Sequence, residues 1–128
     1  MPGPARTGVL IYAKTLAPVA AFYEQVLGAR VAHADAEHRV LEAPDGQLIV
    51  HAIPAQYSAD IVIAVPPEPR EEQAIKPYFT VASLAEAERR AEQCGGRVCG
   101  PVWPGPGLRI RNVCDPEGNI VQLREVAP

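Results

Sequence analysis

Residues 8–28 read GVLIYAKTLAPVAAFYEQVLG and change from one hydrophobic pattern to another. The first six residues form a short apolar run with β-branched and aromatic side chains, which predicts a strand. Thr15 is placed to cap a helix after it, and Gly28 is placed to end that helix. Between them apolar side chains recur at helical spacing, at Val19, Phe22, Tyr23, Val26 and Leu27. The stretch therefore predicts a strand that leads directly into a helix.

Three short β-prone segments follow this helix, at 30–34, 38–43 and 47–53. Pro44-Asp45-Gly46, between the last two, has the residues of a hairpin turn. The first half of the chain is therefore predicted to have the order β-α-β-β-β. Residues 59–65 form a further apolar, β-prone run. Pro66-Pro67-Glu68-Pro69 then predicts an exposed and stiff linker.

The same order of elements is predicted again after the linker. A strand is expected at 75–81, and Ser83 with Glu86 forms a capping box that opens a helix. The inner face of that helix is marked by Leu84, Ala87, Ala91 and Cys94, and Gly95-Gly96 ends it. Three more strands are expected at 97–99, 108–113 and 119–125, with a turn at Asp115-Pro116-Glu117-Gly118. The pattern thus indicates an α+β protein built from two β-α-β-β-β repeats that share little residue identity.

Length and composition exclude several classes of function. A chain of 128 residues suits one domain. A net charge of -3 without blocks of like charge argues against a nucleic-acid partner. The apolar runs are too short to cross a membrane, and the first residues do not resemble a signal peptide. An odd number of cysteines, 3, without a Cys-x-x-Cys pair predicts a reducing cytoplasmic location.

The motifs of both halves resemble the vicinal-oxygen-chelate superfamily, which includes glyoxalases, bleomycin- and fosfomycin-resistance proteins and extradiol dioxygenases. In the first half the resemblance lies in Ala20-Ala21-Phe22-Tyr23 and Val26-Leu27-Gly28. In the second half it lies in Ala85-Glu86-Ala87, Gly95-Gly96-Arg97-Val98, and Asp115-Pro116-Glu117-Gly118-Asn119 before Val121-Gln122-Leu123. It covers nearly the whole chain apart from the N-terminal arm and the proline linker.

The resemblance implies a glyoxalase-like α+β fold in which two βαβββ modules form a curved mixed sheet around a cleft. Residues 1–128 would form one domain, with module 1 at about 8–65, the proline linker at 66–70 and module 2 at about 74–126. A homodimer is also implied, and covering the sheet edges gives a physical reason for it. Whether the cleft forms within one chain or between two chains stays open.

The family's metal ligands, usually His and Glu, correspond in this chain to Gly8, Ile49, Lys76 and Gln122. Glycine has no side chain, isoleucine has no donor atom, and a lysine ammonium repels a cation. Glutamine is a weak neutral ligand. No cofactor is therefore expected at these positions. A divalent metal held by displaced ligands, such as His51 with Glu42 or Gln122, stays an alternative.

Strand alternation assigns side chains to the two faces of each sheet. The apolar row expected beneath the helices is Val9, Ile11, Leu48, Val50, Phe79, Val81, Val121 and Leu123. The opposite row, expected to line the cleft, is Leu10, Tyr12, Ile49, His51, Lys76, Tyr78, Thr80 and Gln122. Arg109 and Arg111 share one face, and the cost of placing them beneath a helix assigns them to the cleft or to solvent. Trp103, in the glycine- and proline-rich loop expected at 100–107, is a candidate lid over the cleft or dimer contact.

Three functions follow, in order of preference. The first is a metal-independent protein that binds a small anionic or aromatic molecule. In it Lys76, Arg109 and Arg111 would form a cationic wall, unless they are merely solvated at the sheet rim. The second is a lyase, isomerase or dioxygenase with displaced metal ligands or with His51 and Tyr12 as acid-base residues, where a structural role for His51 is the rival interpretation. The third is a dimeric interaction module. His33 and His38 are assigned to the surface beside a turn.

Overall fold

The computed structural model describes residues 7–44 and 46–126. The first half contains β1 (Gly8–Ala13), α1 (Leu16–Leu27), β2 (Arg30–Ala34), β3 (His38–Ala43), β4 (Gly46–Ala52) and α2 (Ala55–Ser58). The second half contains β5 (Tyr78–Thr80), α3 (Leu84–Gln93), β6 (Arg97–Gly105), β7 (Leu108–Cys114) and β8 (Ile120–Val126). The strands form two sheets, in the orders β1-β4-β3-β2 and β5-β8-β7-β6. The predicted α+β class and the repeated order are confirmed. Asp45 of the predicted turn lies outside the described residues.

The two long helices end much as the sequence predicts, but their first turns differ. Gly28 ends α1 in the left-handed conformation, at φ 63°. Thr15 occupies the N-cap position of α1, yet its side chain makes no capping bond. Ser83 Oγ does accept the Glu86 N–H at the start of α3, at 3.2 Å. The Glu86 carboxylate bonds to Arg89 and Arg90, because these cations follow it by three and four residues on the helix surface.

The chain between the two halves differs most from the predictions. Residues 59–65 form no strand, and Val62 and Val65 are 90% and 92% exposed, so this apolar run packs against no sheet. The proline segment is not a free linker, because it crosses the start of β8. Arg70 N–H donates to Gly118 O at 2.8 Å, and the Gln73 side chain bonds both the N–H and the C=O of Ile120 at 2.8 Å. The strand expected at 75–81 shortens to β5.

Residues 100–107, expected to form a loop, mostly belong to strand β6. The pairing of β6 with β7 shifts register between Cys99 and Trp103, and Trp103 then lies opposite Ile110. Such an irregularity lets the strand absorb extra residues. Prolines at 101 and 104 are tolerated because β6 is the outer strand of its sheet. Trp103 is therefore held in a hairpin.

The helices cover one face of each sheet, and α1 packs against α3. The apolar row predicted beneath the helices is buried at Leu48, Val50, Phe79, Val81, Val121 and Leu123, and Val9 and Ile11 pack against it. The opposite face of each sheet carries no helix and is called the open face below. None of the described helices is long and apolar enough to cross a membrane.

Two acidic side chains of the β7–β8 turn bond the second half to the first. Asp115 is fully buried, and its carboxylate accepts from the Tyr23 hydroxyl at 2.7 Å. It also accepts from the N–H of Glu117 and from the backbone and side chain of Asn119. The Glu117 carboxylate accepts the N–H groups of Lys14 and Thr15, both at 2.8 Å. The start of α1 is therefore held by a carboxylate from the second half.

The buried Tyr23 phenol gives a spectroscopic prediction. Burial raises its pKa well above the ordinary value, and the adjacent Asp115 charge adds to the rise. The pKa of Tyr23 is higher in the folded protein than in the unfolded chain. The contribution of Tyr23 to the free energy of unfolding is therefore complete below about pH 10 and declines at higher pH. We expect the difference in phenolate absorbance between wild type and Tyr23→Phe to appear only as the protein unfolds. A difference signal that develops while circular dichroism still reports a folded protein would contradict this.

Candidate functional site

The open faces of the two sheets lie on the same side of the molecule. Strands β1 and β5 are edge strands of the two sheets, and residues of both line one cavity. A cavity of about 430 Å³ lies between them, lined by Thr7, Gly8, Val9, Gly46, Gln47, Lys76, Pro77, Tyr78 and Phe79. Since α1 and α3 contact each other on the opposite side, both open faces point the same way. Lys76 and Tyr78, two of the residues expected to line the cleft, contribute to this cavity.

A second cavity, of about 540 Å³, lies where β1 meets the segment 61–77. Its wall is mainly aliphatic, with Leu10 and Tyr12 on one side and Ile75 and Ile120 on the other. Two charged residues line it. Arg70 Nε donates to Glu117 O at 3.1 Å, and the Glu117 carboxylate binds the start of α1. This cavity can therefore hold an apolar group beside the Arg70 guanidinium.

The open face of the first sheet carries Leu10, Tyr12, Ile49 and His51. Leu10 pairs with Ile49, and Tyr12 pairs with His51. The Tyr12 and His51 rings are 5.1 Å apart between centroids. His38, which the sequence analysis assigned to the surface, lies directly opposite His51 with its ring centroid 4.2 Å away.

The open face of the second sheet carries a cation that the sequence analysis missed. Tyr78 pairs with Gln122, and Thr80 pairs with Arg124. The Arg124 guanidinium carbon lies 3.8 Å from the centroid of the Tyr78 ring. Its Nε and Nη2 donate to Gln122 Oε1 at 3.1 and 2.9 Å. Strand alternation alone could have found Arg124, because it is two residues after Gln122 and so shares its face.

Further groups extend this face towards the outer strand. Trp103, 43% exposed, pairs with Ile110, which in turn pairs with Arg124. Asn112 pairs with Gln122. Its Oδ1 atom is buried and has no hydrogen-bond partner among the described residues. A buried acceptor without a donor is costly, so a ligand or water that donates a hydrogen bond would be stabilised there.

The predicted cationic wall of Lys76, Arg109 and Arg111 is not assembled. Arg109 pairs with Glu125 and Arg111 with Leu123, which places both arginines on the face covered by α3. They are accommodated there because each meets a carboxylate, at 2.6 Å from Arg109 to Glu125 and at 3.4 Å from Arg111 to Glu88. Lys76 is exposed, and its Nζ donates to Gln73 O at 3.2 Å.

The residues at the family's ligand positions do not suit a metal ion. Gly8 and Ile49 offer no donor atom, and Lys76 offers a positive charge. The Gln122 side-chain oxygen already accepts two bonds from Arg124, whose charge would repel a cation. The displaced candidate Glu42 bonds to Gln47 at 3.0 Å. Among residues 7–44 and 46–126, no three His, Cys, Asp or Glu side chains are placed to hold an ion.

Comparison with known proteins identifies the family. The profile of the glyoxalase-like domain matches residues 8–123. No curated protein matches the chain. A glyoxalase/bleomycin resistance protein from Albidiferax ferrireducens T118 superposes with a TM-score of 0.67 at 17% identity, over 93% of this chain and 96% of that one.

Two resistance proteins share the same fold. The bleomycin resistance determinant encoded on transposon Tn5 gives a TM-score of 0.62 at 21% identity, over 94% of this chain and 97% of that one. The fosfomycin resistance protein FosX from Mesorhizobium loti gives a TM-score of 0.64 at 14% identity, over 93% of this chain and 89% of that one. At such identities the structures establish the fold and no activity. Together with the profile match, they confirm the resemblance read from the sequence: the chain belongs to the glyoxalase-like domain family, within the vicinal-oxygen-chelate superfamily.

Proposed function

We propose that this protein binds a small organic anion with an aromatic or apolar portion, without a metal ion. The observation that carries the proposal is the state of Arg124. Its guanidinium lies over Tyr78, is bonded to Gln122, and pairs with no carboxylate among the described residues. A half-buried cation without a counter-ion favours an anionic ligand.

The geometry leaves part of the guanidinium free for a ligand. Nε and Nη2 bond to Gln122, and Nη1 has no partner in the described part of the chain. A guanidinium presents its N–H groups in a rigid fork that matches a carboxylate or phosphate. Stacking on Tyr78 already fixes the side chain, so less conformational entropy is lost when an anion binds.

The neighbouring side chains suit the apolar portion of such a ligand. Tyr78 and Trp103 are exposed aromatic residues on the same face, and Ile110 lies between Trp103 and Arg124. A few polar groups within an apolar cleft are typical of small-molecule sites. The absence of suitable metal ligands at the family positions supports binding without a metal.

Trp103 makes the proposal directly testable, because it is the single tryptophan of the chain. Benzoate titrated into the protein should change its fluorescence in a saturable way. A charge-assisted hydrogen bond contributes about 1.5–3 kcal/mol, so Arg124→Gln should weaken benzoate binding by roughly 10- to 100-fold. Arg109→Gln is the matched control, since Arg109 lies on the opposite face and pairs with Glu125.

Further titrations separate charge from shape and from metal dependence. Benzylamine has a similar size and the opposite charge, so it should not compete with benzoate. Excess chelator should leave benzoate affinity unchanged. Equal affinity in Arg124→Gln and Arg109→Gln would overturn the proposal, as would the failure of both benzoate and phenyl phosphate to bind. Loss of binding in chelator would contradict the metal-independent part.

An acid-base enzyme is the second candidate, because Tyr12 and His51 lie together and Tyr12 lines the 540 Å³ cavity. Conversion of a titrated compound such as phenyl phosphate into another compound would favour an enzyme, if His51→Ala abolished it.

A homodimer stays part of the proposal. Strand β2 is an outer edge whose residues are all exposed, and sedimentation would decide the mass in solution.

A further inference from the structure

The three histidines of the chain form one cluster around Asp35. His33 Nε2 lies 2.8 Å from one Asp35 carboxylate oxygen, and His38 Nδ1 lies 3.0 Å from the other. His51 contacts His38 from the neighbouring strand. We propose that His38 and His51 bind a divalent transition-metal ion on the open face of the first sheet.

The pairing of the strands places the two imidazoles side by side. His38 on β3 and His51 on β4 are directly opposite in an antiparallel pair. Side chains in this relation stand on the same face with their Cβ atoms about 5 Å apart. The ring centroids are 4.2 Å apart, with an angle of 69° between the ring planes. Because χ2 of histidine is a soft torsion, modest ring rotation can direct both nitrogens at one ion.

The hydrogen bonds of the two rings determine which nitrogen is free. His51 Nδ1 lies 2.7 Å from Ala52 O, which can only accept, so Nδ1 carries the proton. His38 Nδ1 likewise donates to the Asp35 carboxylate. In the neutral ring each Nε2 atom therefore presents an unprotonated lone pair. Metal-binding histidines characteristically donate their other N–H to a carboxylate or a backbone carbonyl, which orients the ring and raises its basicity.

The surrounding charge favours a cation. The Asp35 carboxylate lies behind His38 and accepts hydrogen bonds from His33, His38 and the backbone N–H of Glu37. Arg39, the residue after His38, donates to the carbonyl oxygens of Asp35 and His38. Imidazole ligands suit Zn, Cu and Ni, and two of them leave coordination positions open for water or another ligand.

This site differs from the family's metal site and does not depend on the proposed anion site. None of the four family positions supplies a ligand to it. Ile49 precedes His51 by two residues on the same strand, about 7 Å along β4. The anion site uses Arg124 and Tyr78 on the other sheet, so each proposal can fail without the other.

Calorimetric titration with Ni²⁺ alone, together with paramagnetic broadening of the histidine ring signals, tests the proposal. One ion should bind per chain and broaden the His38 and His51 signals most. His38→Ala and His51→Ala should each weaken binding at least about 10-fold, and Asp35→Asn, which removes the orienting carboxylate, about 10- to 100-fold. His33→Ala is the matched control and should keep the affinity, because it leaves the Asp35–His38 bond in place.

The variants should unfold at the wild-type temperature in the absence of metal, which would separate loss of a ligand from loss of structure. Ni²⁺ binding that persists in the double variant His38→Ala/His51→Ala would overturn the proposal. Equal weakening in His33→Ala and His38→Ala would also overturn it, as would the absence of Ni²⁺ binding to the wild type.

Discussion

Gly118→Ala should lower the free energy of unfolding by roughly 2–5 kcal/mol. Gly118 has φ 87°, a conformation that costs a residue with a Cβ about 1–2 kcal/mol. A Cβ there would lie 2.2 Å from the carbonyl oxygen of Glu68. That atom belongs to the backbone of the proline segment, which is bonded to the same turn through Arg70 N–H and Gly118 O. Relieving the clash should displace this segment, at about 1–3 kcal/mol more.

Gly107→Ala is the control that isolates the contact with Glu68. Gly107 also has a left-handed backbone, at φ 67°, but nothing lies within 4 Å of the position of its Cβ. Gly107→Ala should therefore lower the free energy of unfolding only by the cost of the left-handed backbone, about 1–2 kcal/mol. Urea unfolding of both variants measures the difference. Equal losses would show that the proline segment moves aside without cost.

Asp115→Ala should lower the free energy of unfolding by a similar amount, about 3–5 kcal/mol. The substitution removes a fully buried carboxylate and leaves four donors without an acceptor: Tyr23 OH, Glu117 N–H, Asn119 N–H and Asn119 Nδ2. Each buried donor without a partner costs about 1–3 kcal/mol, partly relieved where water enters. The thermal midpoint should fall by roughly 10 °C or more.

Two further variants show whether this loss comes from the buried network. Tyr23→Phe removes one donor together with its need for a partner, so it should cost only about 1–2 kcal/mol. Asp60→Ala removes an exposed carboxylate and should change the midpoint little. If Asp115→Ala unfolds close to the Asp60→Ala temperature, the bonds around Asp115 contribute little to stability.

The sequence predicted most elements because their signals are local. Alternation and helical spacing identify strands and helices, and Gly28 and the turn at 115–118 mark where elements end. The β-prone run at 59–65 forms no strand, because an apolar run becomes a strand only where a sheet edge is available to pair with it. The structure leaves Val62 and Val65 exposed. Such a choice depends on the whole fold and cannot be read from seven residues.

Strand alternation was sufficient to predict the sheet face on which several residues of the candidate site lie. Tyr12, His51 and Tyr78 lie on the open faces because alternation fixes the face once the buried row is known. Arg109 and Arg111 were expected at the cleft or in solvent because burying a cation is costly. Their acidic partners Glu125 and Glu88 come near only in the tertiary structure. The pairing of His38 with His51 likewise depends on register across strands.

The carboxylates of Asp115 and Glu117 make helix α1 of the first half depend on the second half. Both halves repeat one pattern, yet Asp115 and Glu117 of the second complete a helix that belongs to the first. A fragment that ends before the proline segment would carry α1 without either acceptor. We therefore expect no separate melting step for each half, and no working protein from an exchange of halves between relatives. A substitution in one half is therefore tolerated in evolution only if the contacts between Asp115, Glu117 and helix α1 are kept.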